Sequence, residues 1–331
     1  MKRLLLKTIA AAVAVAALGV ASAQERTIKF ATQNPKGHPL VMGMEKFAAL
    51  VEAKSGGKIK VNLFPGGVLG GDAPTVSALQ GGTIEMASMN SGILASQVKD
   101  FEVFDFPFMF ANSKEADAVV DGPFGKKMHA KLDAKGLVGL TYWELGFRNI
   151  TNNKRAITKV EDIAGLKLRV LPNAINLDWT KALGANPTPL AFPEVYAALE
   201  QGAIDGQENP LTVISATKLY EVQKYVTLTN HQYNPQSVLM SKKFWDTLNA
   251  AEKKIIADAA VEATAYQRQQ AREQAGTALE TVKKAGMQVS ELSPAELAKF
   301  REKMKPVVDK HGAASPDALK ELTAELARLR K

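Results

Sequence analysis

The segment 166–176 reads LKLRVLPNAIN. Leu166, Leu168 and Val170 alternate, as the buried face of a strand requires, because successive side chains of a strand point to opposite faces. Arg169 falls on the other face, one step before the strand runs out. Half-exposed strands carry charge on their wet side, which accounts for a lone arginine unless its neighbours give it another use. Downstream, a helix is predicted over Ile175–Leu183, a short strand in PTPL (187–190), a helix over Pro193–Gln201 and a strand in AIDGQE (203–208). The alternation β-α-β-α-β specifies parallel strands with helices on the faces of a sheet.

The first half carries the same pattern. ERTIKFATQN (25–34) opens with an alternating strand, Ile28 and Phe30 on one face. His38-Pro39 starts a helix that runs through Ala53, with Leu40, Met44, Phe47, Leu50 and Val51 near helical spacing. Proline suits the first turn, and Gly56-Gly57 stops the helix. KIKVNLF (58–64) is a second strand, Pro74–Gly81 a helix and TIEMASMNS (83–91) a third strand. A further strand lies near Leu137–Trp143, Thr158 and Glu161 form a capping box for one helical turn, and VLMSK (238–242) reads as a strand returning to the first domain. Ala250–Ala285 is almost unbroken helix former with a poor heptad pattern, which favours a brace across two domains over a coiled coil. Ser293-Pro294 and Ser315-Pro316 start two more helices.

A length of 331 residues with 46% apolar content supports two domains. Residues 1–23 read as a separate leader: MKRLLLK is basic, TIAAAVAVAALGV is apolar, and Ala21-Ser22-Ala23 is a small-residue cleavage site. That is the pattern of a secretory signal peptide. It predicts a mature chain starting at Gln24 or Glu25 and an extracytoplasmic location. There is no cysteine, so thiolate zinc clusters, thiol nucleophiles and disulfides are excluded. The formal charge of +8 includes Lys2, Arg3 and Lys7 of the leader, and the remaining basic residues are dispersed. No basic run is interleaved with aromatics, which argues against nucleic acid. A mildly positive field favours an anionic ligand.

Catalytic and cofactor patterns fail one by one. His38, His129, His231 and His311 have no partner at metal-ligand spacing, and neither HExxH nor GxSxG occurs. The glycine spacing of PGGVLGGD (65–72) resembles a phosphate loop, but Asp72 and Ala73 stand where lysine and serine or threonine belong. Aspartate repels phosphate there, so the stretch reads as a tight turn between strand and helix. Asp205, Glu208 and Asn209 cluster at a strand end, without the second acid or nucleophile a hydrolase needs. No cofactor and no metal are expected. What remains is a set of polar residues at strand ends: Gln33 and Asn34, Asn90 and Ser91, Arg148, Arg169 and Asn209. Ligands of open α/β sheets sit beyond the carboxyl ends of the strands. Two guanidinium forks with several amides suit a carboxylate.

GFRNITNNKR (146–155), EDIAGLKLRV (161–170), ALGANPTPLAFPEVYAALEQGAIDGQENPL (182–211) and KLYEVQKYVTLTNH (218–231) resemble the extracytoplasmic solute-binding proteins of tripartite ATP-independent periplasmic (TRAP) transporters. The likeness covers most of the mature chain and is dense from Gly146 to His231. It implies an α/β, two-domain periplasmic-binding-protein-like fold (type II-like), with a ligand cleft between the domains and the long helix bracing them. The expected division is residues 24–146 plus about 235–274 in one domain and 147–234 plus about 275–331 in the other. The resemblance further implies that Arg169 forms the principal salt bridge to a ligand carboxylate. Arg148 is then auxiliary, Asn209 hydrogen-bonds the same group, Phe192 packs on the ligand, and Gln33, Asp72, Asn90 and Ser91 tune ligand choice. PNAINL and TNH resemble the sialic-acid binders, but those carry a glutamate where this chain has Asn90. A uronate or aldonate is therefore favoured over sialic acid or a four-carbon dicarboxylate. Trp143, Trp179 and Tyr233 are expected in the core more than against a sugar ring. The implied partners are TRAP membrane subunits, the implied location is the periplasm, and a monomer is expected. The competing class is an exported enzyme acting on acidic sugars.

Overall fold

A computed structural model describes residues 25–331, and the leader predicted over residues 1–23 lies outside the described residues. The first half forms β1 (Arg26–Thr32), α1 (Pro39–Ser55), β2 (Ile59–Phe64), α2 (Asp72–Gly81) and β3 (Met86–Asn90). β1 pairs in parallel with both β2 and β3. The start of α1 is set as its sequence predicts: the His38 ring nitrogen accepts from the Leu40 amide, and Gly56 closes the helix in the left-handed region at φ 61°. Two short helices, α3 (Ser113–Asp121) and α4 (Pro123–Ala130), then lead into β4 (Leu137–Asn152).

The second βαβαβ run comprises β5 (Lys167–Val170), α5 (Ala174–Ala182), β6 (Asn186–Pro189), α6 (Val195–Glu200) and β7 (Gly206–Asn209). β5 is parallel to both β6 and β7. After α7 (Leu211–Ala216) come β8 (Tyr225–Ser241), α8 (Lys242–Trp245), α9 (Ala250–Lys284), β9 (Gln288–Glu291), α10 (Pro294–Gly312) and α11 (Pro316–Leu329).

β4 and β8 are far longer than their sequences suggest. They pair antiparallel from Leu137↔Ser241 to Asn152↔Tyr225, so the two parallel halves join one nine-stranded sheet ordered β2-β1-β3-β8-β4-β7-β5-β6, with β9 added to β8. β3 takes the far end of β8 and β7 the far end of β4. Between those ends the ladder slips at Glu144/Gly146 and again at Arg148/Ile150. Gly146 there has φ 111°, a conformation that glycine tolerates without a Cβ clash.

α9 is 35 residues long, about 52 Å at 1.5 Å per residue. Ile256, Ala259, Ala260 and Ala263 pack in the apolar cluster that holds α1 and β1, whereas Val282 joins the cluster of Val195, Leu199 and Ile214. Small residues let it lie close to both halves, as expected of a brace. One local expectation changes. In the turn Val160–Ile163 the box acid is Asp162 rather than Glu161: its carboxylate accepts from the amides of Thr158 and Lys159, at 3.0 and 3.1 Å. Trp143, Trp179 and Tyr233 are core residues, and the two indole N–H groups donate to Thr264 and Asn176.

Candidate functional site

Two arginines are almost completely buried, and their surroundings differ. Arg148, between the second and third of the three ladder slips of β4, is held by protein. Its Nε and Nη2 donate to both carboxylate oxygens of Glu208, and Nη1 donates to Asn234 Oδ1 at 2.8 Å. Glu208 comes from β7 and Asn234 from β8, so three strands meet at one guanidinium. His231 Nε2 lies 3.5 Å from Glu208. Burial raises the Glu208 pKa, but Arg148 and the His231 contact outweigh it and hold the carboxyl down at about 2.

Arg169, 1% exposed at the end of β5, has no carboxylate hydrogen-bonded to it. Nε and Nη2 both donate to the Leu190 carbonyl, at 3.0 and 2.7 Å, and Nη1 has no partner. The Phe192 ring lies beside it, 5.8 Å from the guanidinium carbon. Burial, with repulsion from Arg148, lowers its pKa to about 10 despite attraction from Glu208, Asp72 and Glu194. A buried guanidinium with an unused N–H fork is costly unless an anion meets it.

The other walls are polar and also unsatisfied. Gln33, Asn34, Asp72, Ser88, Asn90, Leu145, Arg148, Arg169, Leu171, Phe192, Asn209, Val213 and Gln236 enclose a cavity of about 40 Å³. Besides Arg169 Nη1, four buried atoms of this wall lack partners: Gln33 Oε1, Asn34 Oδ1, Asp72 Oδ1 and Asn90 Nδ2. Two of these side chains, Gln33 and Asn90, are held by local hydrogen bonds. Gln33 Nε2 donates to the Gly70 carbonyl, Asn90 Oδ1 caps the Gly92 amide, and Asp72 sits in the first turn of α2. Eight of the predicted residues thus converge: Arg169, Arg148, Asn209, Phe192, Gln33, Asn34, Asp72 and Asn90. Ser91 does not reach the wall; its hydroxyl bonds Ser237 Oγ at 2.8 Å. Ser88 and Gln236 escaped the sequence reading. Strand periodicity was the available signal for Ser88, two residues from Asn90 on β3; Gln236 gave none, because its part of β8 does not read as a strand.

The cleft is closed. The loop 65–71 approaches the segment Ala191–Pro193 so tightly that a Cβ on Gly67 would stand 2.9 Å from Pro193 Cγ and 2.8 Å from Gln33 Oε1. Burial pushes the Asp72 carboxyl up to about 6, against the pull of Arg169 and of the nearby Gln33 amide. Because the folded pKa is above the unfolded one, ionised Asp72 costs stability above pH 6, and the cost fades as pH falls towards 4. Asp72→Asn is expected to be more stable than the parent at pH 8, with the gap shrinking at pH 5. Urea unfolding at both pH values checks this, and a gap independent of pH contradicts it.

The acidic cluster has no hydrolytic geometry. Glu208 is committed to Arg148, and Asp205 pairs with Lys154 and the Lys167 amide. Among the described residues no group of three His, Cys, Asp or Glu side chains forms a metal cage, and no helix is long and apolar enough to cross a membrane.

Residues 30–315 match the family model of the bacterial extracellular solute-binding protein, family 7. The chain is 57% identical to a TRAP periplasmic solute-binding protein from Ochrobactrum anthropi, whose structure has its C-terminus bound in the ligand-binding pocket; the match covers 93% of this chain and 97% of that one, with a TM-score of 0.83. It is 42% identical to the sugar acid-binding protein DctPAm of Advenella mimigardefordensis, solved with galactonate, over 92% and 99% of the two chains, with a TM-score of 0.91. It is also 36% identical to the C4-dicarboxylate-binding periplasmic protein DctP of Rhodobacter capsulatus, over 92% and 93% of the two chains. The chain, built as a two-domain α/β binding fold around a buried arginine cleft, therefore belongs to the solute-binding proteins of TRAP transporters.

Proposed function

We propose that this protein captures a polyhydroxylated monocarboxylate, a uronate or an aldonate, and delivers it to TRAP membrane subunits from the periplasm as a monomeric binding protein without catalytic activity. The observation that carries the choice of ligand is the inventory of unpartnered atoms in the cavity wall. Two are donors, Arg169 Nη1 and Asn90 Nδ2. Three are oxygen acceptors, on Gln33, Asn34 and, when ionised, Asp72. A carboxylate satisfies the donors. The acceptors require hydroxyl groups, since buried acceptors without a donor cost roughly 1–3 kcal/mol each. A dicarboxylate offers only further acceptors at neutral pH, and its second charge faces Asp72. An aldonate or uronate offers one carboxylate and a row of hydroxyls.

A six-carbon acid exceeds a cavity of about 40 Å³, so it enters with the lobes apart, and in the loaded protein the loop 65–71 stands farther from Ala191–Pro193 than it does here. The lobes follow the division given from sequence, 24–146 with about 235–274 and 147–234 with about 275–331. The slipped region of β4 and β8 supplies the hinge. An enzyme of acidic sugars is disfavoured because Asp72 is the one carboxyl group in the wall, whereas paired-acid hydrolysis needs two.

The test is thermal unfolding with galactonate, galacturonate, sialic acid and succinate, followed by calorimetry and a search for product. Ligand at a hundred times its Kd stabilises by about 2.7 kcal/mol. Galactonate or galacturonate is expected to bind at least tenfold more tightly than succinate and to be recovered unchanged. Tighter binding of succinate overturns the ligand assignment, and turnover overturns the class.

A further inference from the structure

Behind the cavity lies a buried carboxylate that neither the binding scheme nor the sequence patterns use. Asp105 ends the 3-10 segment Lys99–Asp105 and is fully buried. Three side-chain amides converge on it. Asn234 Nδ2 donates to Oδ1 at 3.0 Å, while Asn173 Nδ2 and Asn176 Nδ2 donate to Oδ2 at 2.5 and 3.1 Å. Its carboxylate lies directly against the Gly92 backbone: a Cβ on Gly92 would fall 2.0 Å from Oδ2.

We propose that Asp105 is a positioning residue for both arginines of the cleft, and that ligand affinity depends on it although it does not line the cavity. This rests on the carboxylate-binding reading above. The route to Arg148 is a single amide. Asn234 gives its N–H₂ to Asp105 and thereby turns its oxygen towards Arg148 Nη1, 2.8 Å away. An amide has one donor end and one acceptor end, so fixing the first fixes the second. The route to Arg169 runs through the chain that follows it. Asn173 donates to Asp105 while its own Oδ1 accepts from the Asn176 amide and caps α5, three residues past the end of the strand carrying Arg169. Asn176 passes the restraint on, since its oxygen accepts from Trp179 Nε1 at 2.7 Å.

This arrangement makes a prediction that packing alone does not. In Asp105→Asn the new N–H₂ must face an amide N–H₂. The smaller disruption is at the Oδ1 end, where Asn234 has to turn over, presenting N–H₂ to the Arg148 guanidinium. Adding Asn234→Asp repairs the pattern. Asp at 234 accepts from the N–H₂ of residue 105 with one oxygen and from Arg148 with the other, while the oxygen at 105 still serves Asn173 and Asn176. Charge and volume are conserved across the pair.

Two readouts on the full mature chain test it. Solvent exchange of the Arg148 Nε–H, followed by nitrogen-15 NMR without ligand, reports the guanidinium directly. Calorimetry with D-galactonate reports affinity. D105N is expected to exchange at least tenfold faster and to bind at least tenfold more weakly, and D105N with N234D is expected to return to within threefold of the parent in both. Parent-like exchange and affinity in D105N, or a double variant no better than the single one, overturns the proposal. Should D105N not fold, Asn234→Ala removes only the link, and parent-like exchange and affinity there overturn it equally. A parent protein that fails to bind galactonate counts against the ligand reading, and the exchange data then decide the role of Asp105.

Discussion

Replacing Arg169 by alanine is expected to weaken binding of the acid by more than tenfold while leaving the ligand-free protein as stable as the parent or more so. The two effects have one cause. Arg169 is a buried cation whose hydrogen bonds reach only the Leu190 carbonyl and whose Nη1 is unused. A hydrogen bond to a charged group contributes about 1.5–3 kcal/mol, and 1.4 kcal/mol is tenfold in affinity. Without ligand the same charge is desolvated and uncompensated, so its removal relieves a cost. Arg169→Lys is expected to lose affinity too, because an ammonium lacks the planar fork. Calorimetry and denaturant unfolding of the two variants check these statements. Undiminished affinity in either contradicts the assigned role.

Glu208→Ala is expected to have the opposite profile, a loss of about 3–5 kcal/mol in the stability of the ligand-free protein. That is the usual cost of leaving one partner of a buried ion pair alone. Arg148 would keep Asn234 and lose both oxygens of its fork. Urea unfolding at pH 7 measures the loss. The pH dependence follows from the direction of the Glu208 shift. Its pKa, about 2, is below the unfolded value, so its stabilisation is complete above about pH 4.3 and drains away as pH falls towards 2. The deficit of the variant should therefore narrow over that window. A deficit under 1 kcal/mol would show that the pair contributes little.

The contrast between the arginines explains what the sequence disclosed and what it hid. Strand ends, caps and stops are local, and segments such as His38-Pro39 to Gly56 and LKLRV specify their own structure. The residues at those ends were therefore readable as a cleft. β4 and β8 were not readable at full length. Their central stretches, Glu144 to Ile150 and His231 to Gln236, mix polar residues with apolar ones, carry Gly146 in β4 and Pro235 in β8, and are mostly buried. Regular hydrophobic alternation, the sign of a strand, breaks off in the stretches that carry Arg148 and Asn234. The stretch from Ser91 to Asp105 folds as successive 3-10 turns without periodicity, and so Asp105 gave no signal. Spacing and residue type did not distinguish Arg148 from Arg169, which the family resemblance alone ranked: the partner that occupies one and spares the other, Glu208, is 60 residues from Arg148.

The most direct measurement is a crystal structure with galactonate, or with whichever acid stabilises the protein most. The account predicts a ligand carboxylate within hydrogen-bond distance of Arg169 Nη1, with hydroxyls on Gln33, Asn34 or Asp72 and the Arg148–Glu208 pair unbroken. A ligand whose carboxylate is bound elsewhere, with that guanidinium still contacting only Leu190, contradicts it.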